Sequence, residues 1–147
     1  MTTYFDTSYL VALYVPNDHT AAALRYRARR ENEPIPFNPL HRLELRTTVR
    51  QCAHAAFIKE SDGRRILRSI EEDLDDGTLE HAPLDWTASL RRAETIAQRW
   101  AWSTRCRSLD LWHIAAAVEA KATLFLTFDE GQCELAGLAG LKAAIPH

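Results

Sequence analysis

Short apolar runs alternate along the chain with longer stretches in which apolar residues recur every three or four positions. Apolar runs bounded by turn residues read as strands, and the three-to-four spacing reads as helix. Residues 3–6, "TYFD", form the first such run, and residues 8–15 read as a helix stopped by Pro16. "HTAAALRYRARR" reads as a helix with an Ala/Leu side and an Arg side. "ENEPIPFNP" is the most linker-like stretch, with "IPF" a brief strand inside it. Asn38 followed by Pro39 is a helix start, a capping side chain and then proline at the first helical position. The helix it opens runs through "LHRLELRTTVRQCAHAAF".

The second half continues the alternation. "SDGRRILRSIEEDLDDG" puts Ile66, Leu67, Ile70 and Leu74 on one helical face and ends at Gly77. "TLEHAPL" is a strand candidate. Asp85 caps a helix with Leu90, Ala93, Ala97, Trp100 and Ala101 on one side, and Ser108 caps another, "LDLWHIAAAVEAK". "TLFLTF" is the clearest strand, Gln132 to Leu138 a short helix, and "LKAAI" a last strand. Strands alternating with helices predict an open, mostly parallel α/β sheet with helices on both faces. With no internal repeat, low-complexity tract or marked boundary, residues 1–147 read as a single domain.

Composition narrows the class. Of the 147 residues, 46% are apolar and 26% charged, which fits a chain that buries a core. No apolar run approaches the roughly 20 residues of a membrane span. The first apolar run contains Asp6 and lacks a basic lead, which argues against a signal peptide. Cys52, Cys106 and Cys133 are odd in number and without CxxC spacing, as in a reducing cytoplasm, so neither a disulfide framework nor a zinc site is expected. The net charge of −2 argues weakly against a nucleic-acid partner, but its distribution points the other way. Arginine dominates the positive charge, in clusters at Arg25, Arg27, Arg29 and Arg30, at Arg42, Arg46 and Arg50, and at Arg64, Arg65 and Arg68. Guanidinium forks match phosphate geometry. Equally, charge runs of this kind are often only solvated helix faces.

Four acids carry the candidate chemistry. In open α/β sheets, sites form beyond the carboxyl ends of strands. Asp6 follows the first strand and Asp129 follows "TLFLTF". Asp110 lies in the first turn of the helix at Ser108, and Glu44 lies on the helix opened by Asn38-Pro39, with Leu40, Leu43 and Val49 as expected core neighbours. Each has a plainer role available: Asp6 as a helix cap, Asp110 as a partner of the helix dipole, Asp129 as a turn acid, Glu44 as a surface partner of arginine. If the strands before Asp6 and Asp129 are neighbours, the four can converge. Converged carboxylates repel one another unless a cation sits among them. Oxygen ligands without cysteine suit Mg²⁺ or Mn²⁺ rather than zinc.

These segments together resemble the PIN-domain nucleases, and within them the VapC-type toxins of type II toxin–antitoxin pairs. The resemblance runs through "YFDTSYLVALY", "HRLELRTTVR" and "RSLDLWHIAAAVEAKATLFLTFDEGQCELAGLAGLKAAIP", while residues 53–105 match only as helix-forming filler. It implies a three-layer α/β/α sandwich around a mostly parallel sheet of four or five strands. It implies a metal-dependent endoribonuclease whose acids fall on Asp6, Glu44, Asp110 and Asp129. Asp6, Asp110 and Asp129 would hold one or two Mg²⁺ or Mn²⁺ ions, with Glu44 binding metal or orienting the attacking water, leaving a 5′-phosphate and a 3′-hydroxyl. Ser8 and Thr127 match supporting hydroxyl positions, and His113 a family histidine one turn after Asp110, which on an apolar helix reads as a satisfied core residue. Arg42 and Arg46 flank Glu44 and are the expected RNA-backbone contacts. Taking the four acids out of the charge count turns −2 into +2, so a metal-loaded enzyme would be mildly basic. Trp112, where a smaller residue is usual, and Glu130, beside Asp129, depart from the family pattern.

The resemblance also implies a homodimer, inhibition by a small antitoxin lying across the site, and a cytoplasmic location with no membrane partner. Tyr14, Trp86, Trp100, Trp102 and Trp112 could serve either interface. A catalytically silent PIN-like binding domain is the alternative within the fold. A haloacid-dehalogenase-type phosphatase needs a second Asp where Ser8 stands, and a receiver-type signalling module needs an early acid pair and a late lysine that are not in place.

Overall fold

The computed structural model describes residues 2–147. In chain order the elements are β1 (Thr3–Phe5), α1 (Thr7–Tyr14), α2 (Thr20–Ala28), β2 (Ile35–Phe37), α3 (Pro39–His54), α4 (Glu60–Asp75), β3 (Leu79–His81), α5 (Trp86–Trp100), α6 (Ser108–Glu119), β4 (Leu124–Leu126), α7 (Glu130–Leu138) and β5 (Ala143–Ala144). The predicted alternation is present, down to the strand inside "IPF". All strand pairings are parallel: β1 with β4, β4 with β5, and β2 with β3. The ladders form a three-stranded sheet in the order β1-β4-β5 and a two-stranded sheet of β2 and β3. No helix among the described residues is long and apolar enough to cross a membrane.

Internal contacts gather the chain into two compact units. The first joins residues 2–6 to Pro83–Pro146. Its β4 is buried along its whole length and central in its sheet, as expected of the most continuous apolar run. Tyr4, Ile114, Ala115, Ala117, Phe125, Leu135 and Ala136 form its core with Ala93 and Ile96 of α5. Residues 113–117 of α6 are all buried, which explains its nearly all-apolar sequence. The Tyr4 ring stacks on Phe125, with centroids 5.6 Å apart.

The second unit spans Thr7–Ala82. Here α1 packs on α2 and α3, and α3 on α4. The Asn38 side chain accepts from His41 N–H at 3.0 Å, and the His41 ring accepts from Asn38 N–H at 3.1 Å, with Pro39 opening the helix as predicted. The helix ends at His54 rather than Phe57, because Ala56 turns left-handed at φ +61°.

Other local expectations are corrected by helical phase. Leu43 is not a core neighbour of Glu44: it is 67% exposed, while His41, Leu45 and Val49, four residues apart, form the buried stripe beside Leu40. Leu90 is exposed too, since α5 buries Ser89, Ala93 and Ile96, and Ala101 lies past its end, exposed. On α2, Ala23 is buried but Leu24 is exposed. Ser108 does not cap α6 but is its first residue, and Arg107 stands in the capping position without a side-chain cap bond.

Candidate functional site

Parallel pairing of β1 with β4 puts Phe5 opposite Leu126, so the two chains leave the sheet side by side. Asp6 follows one and Thr127 the other. Asp6 N–H donates to the Leu126 carbonyl at 2.8 Å, extending the ladder past the strand end. The Asp6 side chain is thereby fixed in a buried position, only 4% exposed. Such a carboxylate needs donors, and the buried Thr127 hydroxyl donates to Asp6 Oδ2 at 3.0 Å. The same hydroxyl oxygen accepts from Asp129 N–H at 3.0 Å. Thr127 thus ties the side chain of one acid to the backbone of another.

Asp129 is the N-cap of α7, and its Oδ1 accepts from Gln132 N–H at 2.8 Å. The turn-acid reading of Asp129 is thereby refined to a helix cap. A methyl group on Gly131 would sit 3.3 Å from Asp129 Oδ1, so the glycine leaves that carboxylate room. Glu130 is exposed at the start of α7, whereas Asp129 lines a cleft of about 340 Å³ with Asp110 on its wall. Gln132 and the loop residues Arg105, Cys106 and Arg107 complete most of that wall. The Gln132 amide also reaches the Asp110 carbonyl oxygen at 3.5 Å, a long contact. Asp110, in the first turn of α6, accepts from Arg107 Nε at 3.0 Å.

Asp6, Asp110 and Asp129 therefore come from one unit, two of them on a shared cleft and the third bound to the same loop. Their donors are all hard oxygens, the chemistry a Mg²⁺-class ion accepts. Among the described residues, however, no group of three or more His, Cys, Asp or Glu is close enough to hold a metal as it stands. Each carboxylate has a local partner instead: a hydroxyl for Asp6, a backbone amide for Asp129, a guanidinium for Asp110. The chemistry of the donor set fits a divalent ion, and Asp110 is engaged by Arg107 in this arrangement.

The remaining expected residues have definite surroundings. In the second unit, Thr7 Oγ1 donates to Glu44 Oε2 at 3.1 Å, and Ser8 is half-buried in α1. His113 is fully buried, with Nδ1 2.8 Å from the Tyr4 hydroxyl, as expected of a satisfied core histidine. Arg42 and Arg46 both converge on Glu71, at 2.8 and 2.7 Å. The Arg42 hydrogen bond, helped by the charges of both arginines, holds the Glu71 carboxyl below its ordinary range. Arg64 pairs with Glu60, and Arg65 with Asp62. Arg27 donates to the carbonyls of Arg30 and Glu31, closing the end of α2. Much of the clustered arginine is thus engaged locally. Trp112 is explained by packing: its indole N–H donates to Ser89 Oγ at 2.9 Å and its ring meets Trp86 edge-on.

Arg105, Arg107 and Cys106 were not legible as parts of the site. They fall outside the three arginine clusters, and the one signal was an arginine three residues before an acid at a helix start.

A family model described as the PIN domain matches residues 3–138. Among solved structures, that of VapBC2 from Rickettsia felis bound to a DNA fragment from their promoter is similar, with a TM-score of 0.71 at 15% identity and all of both chains covered. FitAcB from Neisseria gonorrhoeae is similar with a TM-score of 0.64 at 16% identity, over 96% of this chain and 95% of that one. A domain of a functionally unknown protein from Methanocaldococcus jannaschii follows with a TM-score of 0.51 at 14% identity, over 100% of this chain and 92% of that one. No curated protein matches the chain.

Proposed function

The chain belongs to the PIN domain family, and from that premise we propose that it is a divalent-metal-dependent endoribonuclease, the toxin of a toxin–antitoxin pair. The observation that carries the reading is the meeting of Asp110 and Asp129 on one cleft, with Asp6 joined to the Asp129 backbone through Thr127. Strand ends and helix starts are where PIN-type carboxylates are expected, and three of the four acids occupy them.

In this reading Asp6, Asp110 and Asp129 hold Mg²⁺ or Mn²⁺, which when bound acidifies water and neutralises charge on the phosphodiester. The protein's own contribution is positional. Thr127 aims the Asp6 carboxylate by donating to its Oδ2. Gln132 N–H orients Asp129 in the same way. The role of Glu44, as a ligand or in orienting water, rests on the family resemblance alone, and Ser8 is its companion hydroxyl there. Arg105 and Arg107 line the cleft wall and can meet RNA phosphates there, Arg107 once it leaves Asp110, while Arg42 and Arg46 pair with Glu71. The same reading gives the protein a small inhibitory antitoxin, a second copy of itself as partner, and the cytoplasm as its location.

The test is cleavage of total cellular RNA by the purified chain in Mg²⁺, in Mn²⁺ and in EDTA, beside Asp6→Asn, Asp110→Asn and Asp129→Asn. Metal-dependent fragments that disappear in all three variants are expected. Full activity in any one of them would overturn the assignment of that residue. Absence of both cleavage and calorimetric metal binding would favour a silent binding domain.

A further inference from the structure

We propose that Arg107 is a resting counter-ion for Asp110 that a divalent ion must displace, so that this one arginine sets the metal affinity of the cleft. The inference rests on the nuclease reading above and extends it to a residue outside the four acids.

Three observations meet here. Arg107 occupies the capping position of α6 without capping it, and its guanidinium turns instead across the first helical turn to Asp110 Oδ2. The pair is asymmetric: the arginine side chain is 72% exposed and the aspartate 20% exposed. Both residues line the cleft that Asp129 shares. An acid in the first turn of a helix already feels the positive end of the helix dipole. Adding a full positive charge at 3.0 Å goes beyond what the helix needs.

Contrast with the neighbouring acids defines the role. Asp6 takes a hydrogen bond from a hydroxyl and Asp129 one from a backbone amide. Those donors are neutral and stay in place when a cation arrives, since a carboxylate has lone pairs to spare. A guanidinium on Asp110, unlike those neutral donors, is repelled by a divalent ion brought to the same carboxylate. The arginine side chain is 72% exposed, and an exposed ion pair is weak. Arg107 therefore competes with metal for one ligand and releases it at modest cost.

The experiment is calorimetric titration of the full chain with MnCl₂, comparing wild type, Arg107→Gln, Arg107→Lys and Arg105→Gln. Arg105 lines the same cleft and carries the same charge, so its variant measures the bulk electrostatic effect alone. Arg107→Gln should bind Mn²⁺ about three- to ten-fold tighter. Arg107→Lys should fall between it and wild type, and Arg105→Gln should shift less. Unchanged or weaker binding in Arg107→Gln, or an equal gain in Arg105→Gln, overturns the inference while leaving the nuclease reading in place. Failure of both wild type and Arg107→Gln to bind Mn²⁺ would remove the nuclease reading and the inference together.

Discussion

The strand-end region around Asp6 and the helix start around Asp110 solve the same problem in opposite ways. Each holds a carboxylate in place. Asp6 is buried, follows a ladder of backbone hydrogen bonds, and meets the Thr127 hydroxyl. Asp110 sits in the first turn of α6, partly exposed, and meets a solvent-facing cation, Arg107. A buried carboxylate requires a fixed donor because water cannot substitute for one. A partly exposed one can exchange partners, since water and ions share the load. The first region is a frame, and the second is an adjustable contact.

That contrast can be tested as a ladder of stabilities. Phe125 is fully buried in β4 against Tyr4, beneath the strand ends. Phe125→Ala should cost about 3–5 kcal/mol in denaturant unfolding. A loss below about 1 kcal/mol would mean that β4 does not anchor the frame. Thr127→Val removes a donor to buried Asp6 and an acceptor for the Asp129 N–H. It should cost about 1–3 kcal/mol, and under the proposed nuclease reading RNA cleavage should be lost with it. Arg107→Gln, measured in EDTA, should cost at most about 1 kcal/mol, and the difference should shrink as salt rises. If Thr127→Val proves no more damaging than Arg107→Gln, the distinction between frame and adjustable contact fails.

The smallest effect is expected at Glu71, another half-exposed carboxylate held by arginine. Its folded-state pKa lies below the ordinary 4.5. A depressed carboxylate contributes stability above its unfolded pKa and loses it as pH falls through the folded one. Glu71→Gln should therefore be slightly less stable than wild type at neutral pH, by well under about 1 kcal/mol given its exposure, and the two should converge at acid pH once the folded-state carboxyl is protonated. Unfolding curves that stay equally far apart at both pH values would show that the arginines do not act on Glu71 through its charge.

Much of this was readable beforehand, for identifiable reasons. "TLFLTF" announced β4 because a strand buried on both faces must be continuously apolar. Asn38-Pro39 announced α3 because a cap and a fixed φ act within four residues. Asp129 reads in the sequence as an acid just after a strand, and it is the N-cap of α7 on the cleft wall. Helical phase was harder. Leu43 and Leu90 look like core residues, yet a displacement of one or two positions around the helix turns a leucine from core to solvent.

The order of apolar runs and turn residues along the chain was enough to determine the alternation of strands and helices and the placing of acids at strand ends and helix starts, because those choices depend on neighbours a few residues away. Which groups each acid meets was decided only in the tertiary structure. Thr127 reaches Asp6 across 121 positions because β1 and β4 run parallel. Arg42 and Arg46 turn to Glu71 because α3 packs on α4. Arg107 reaches Asp110 because α6 begins at Ser108 and leaves the arginine just outside the helix. Such contacts depend on distances through space, which the linear pattern encodes only through the fold as a whole.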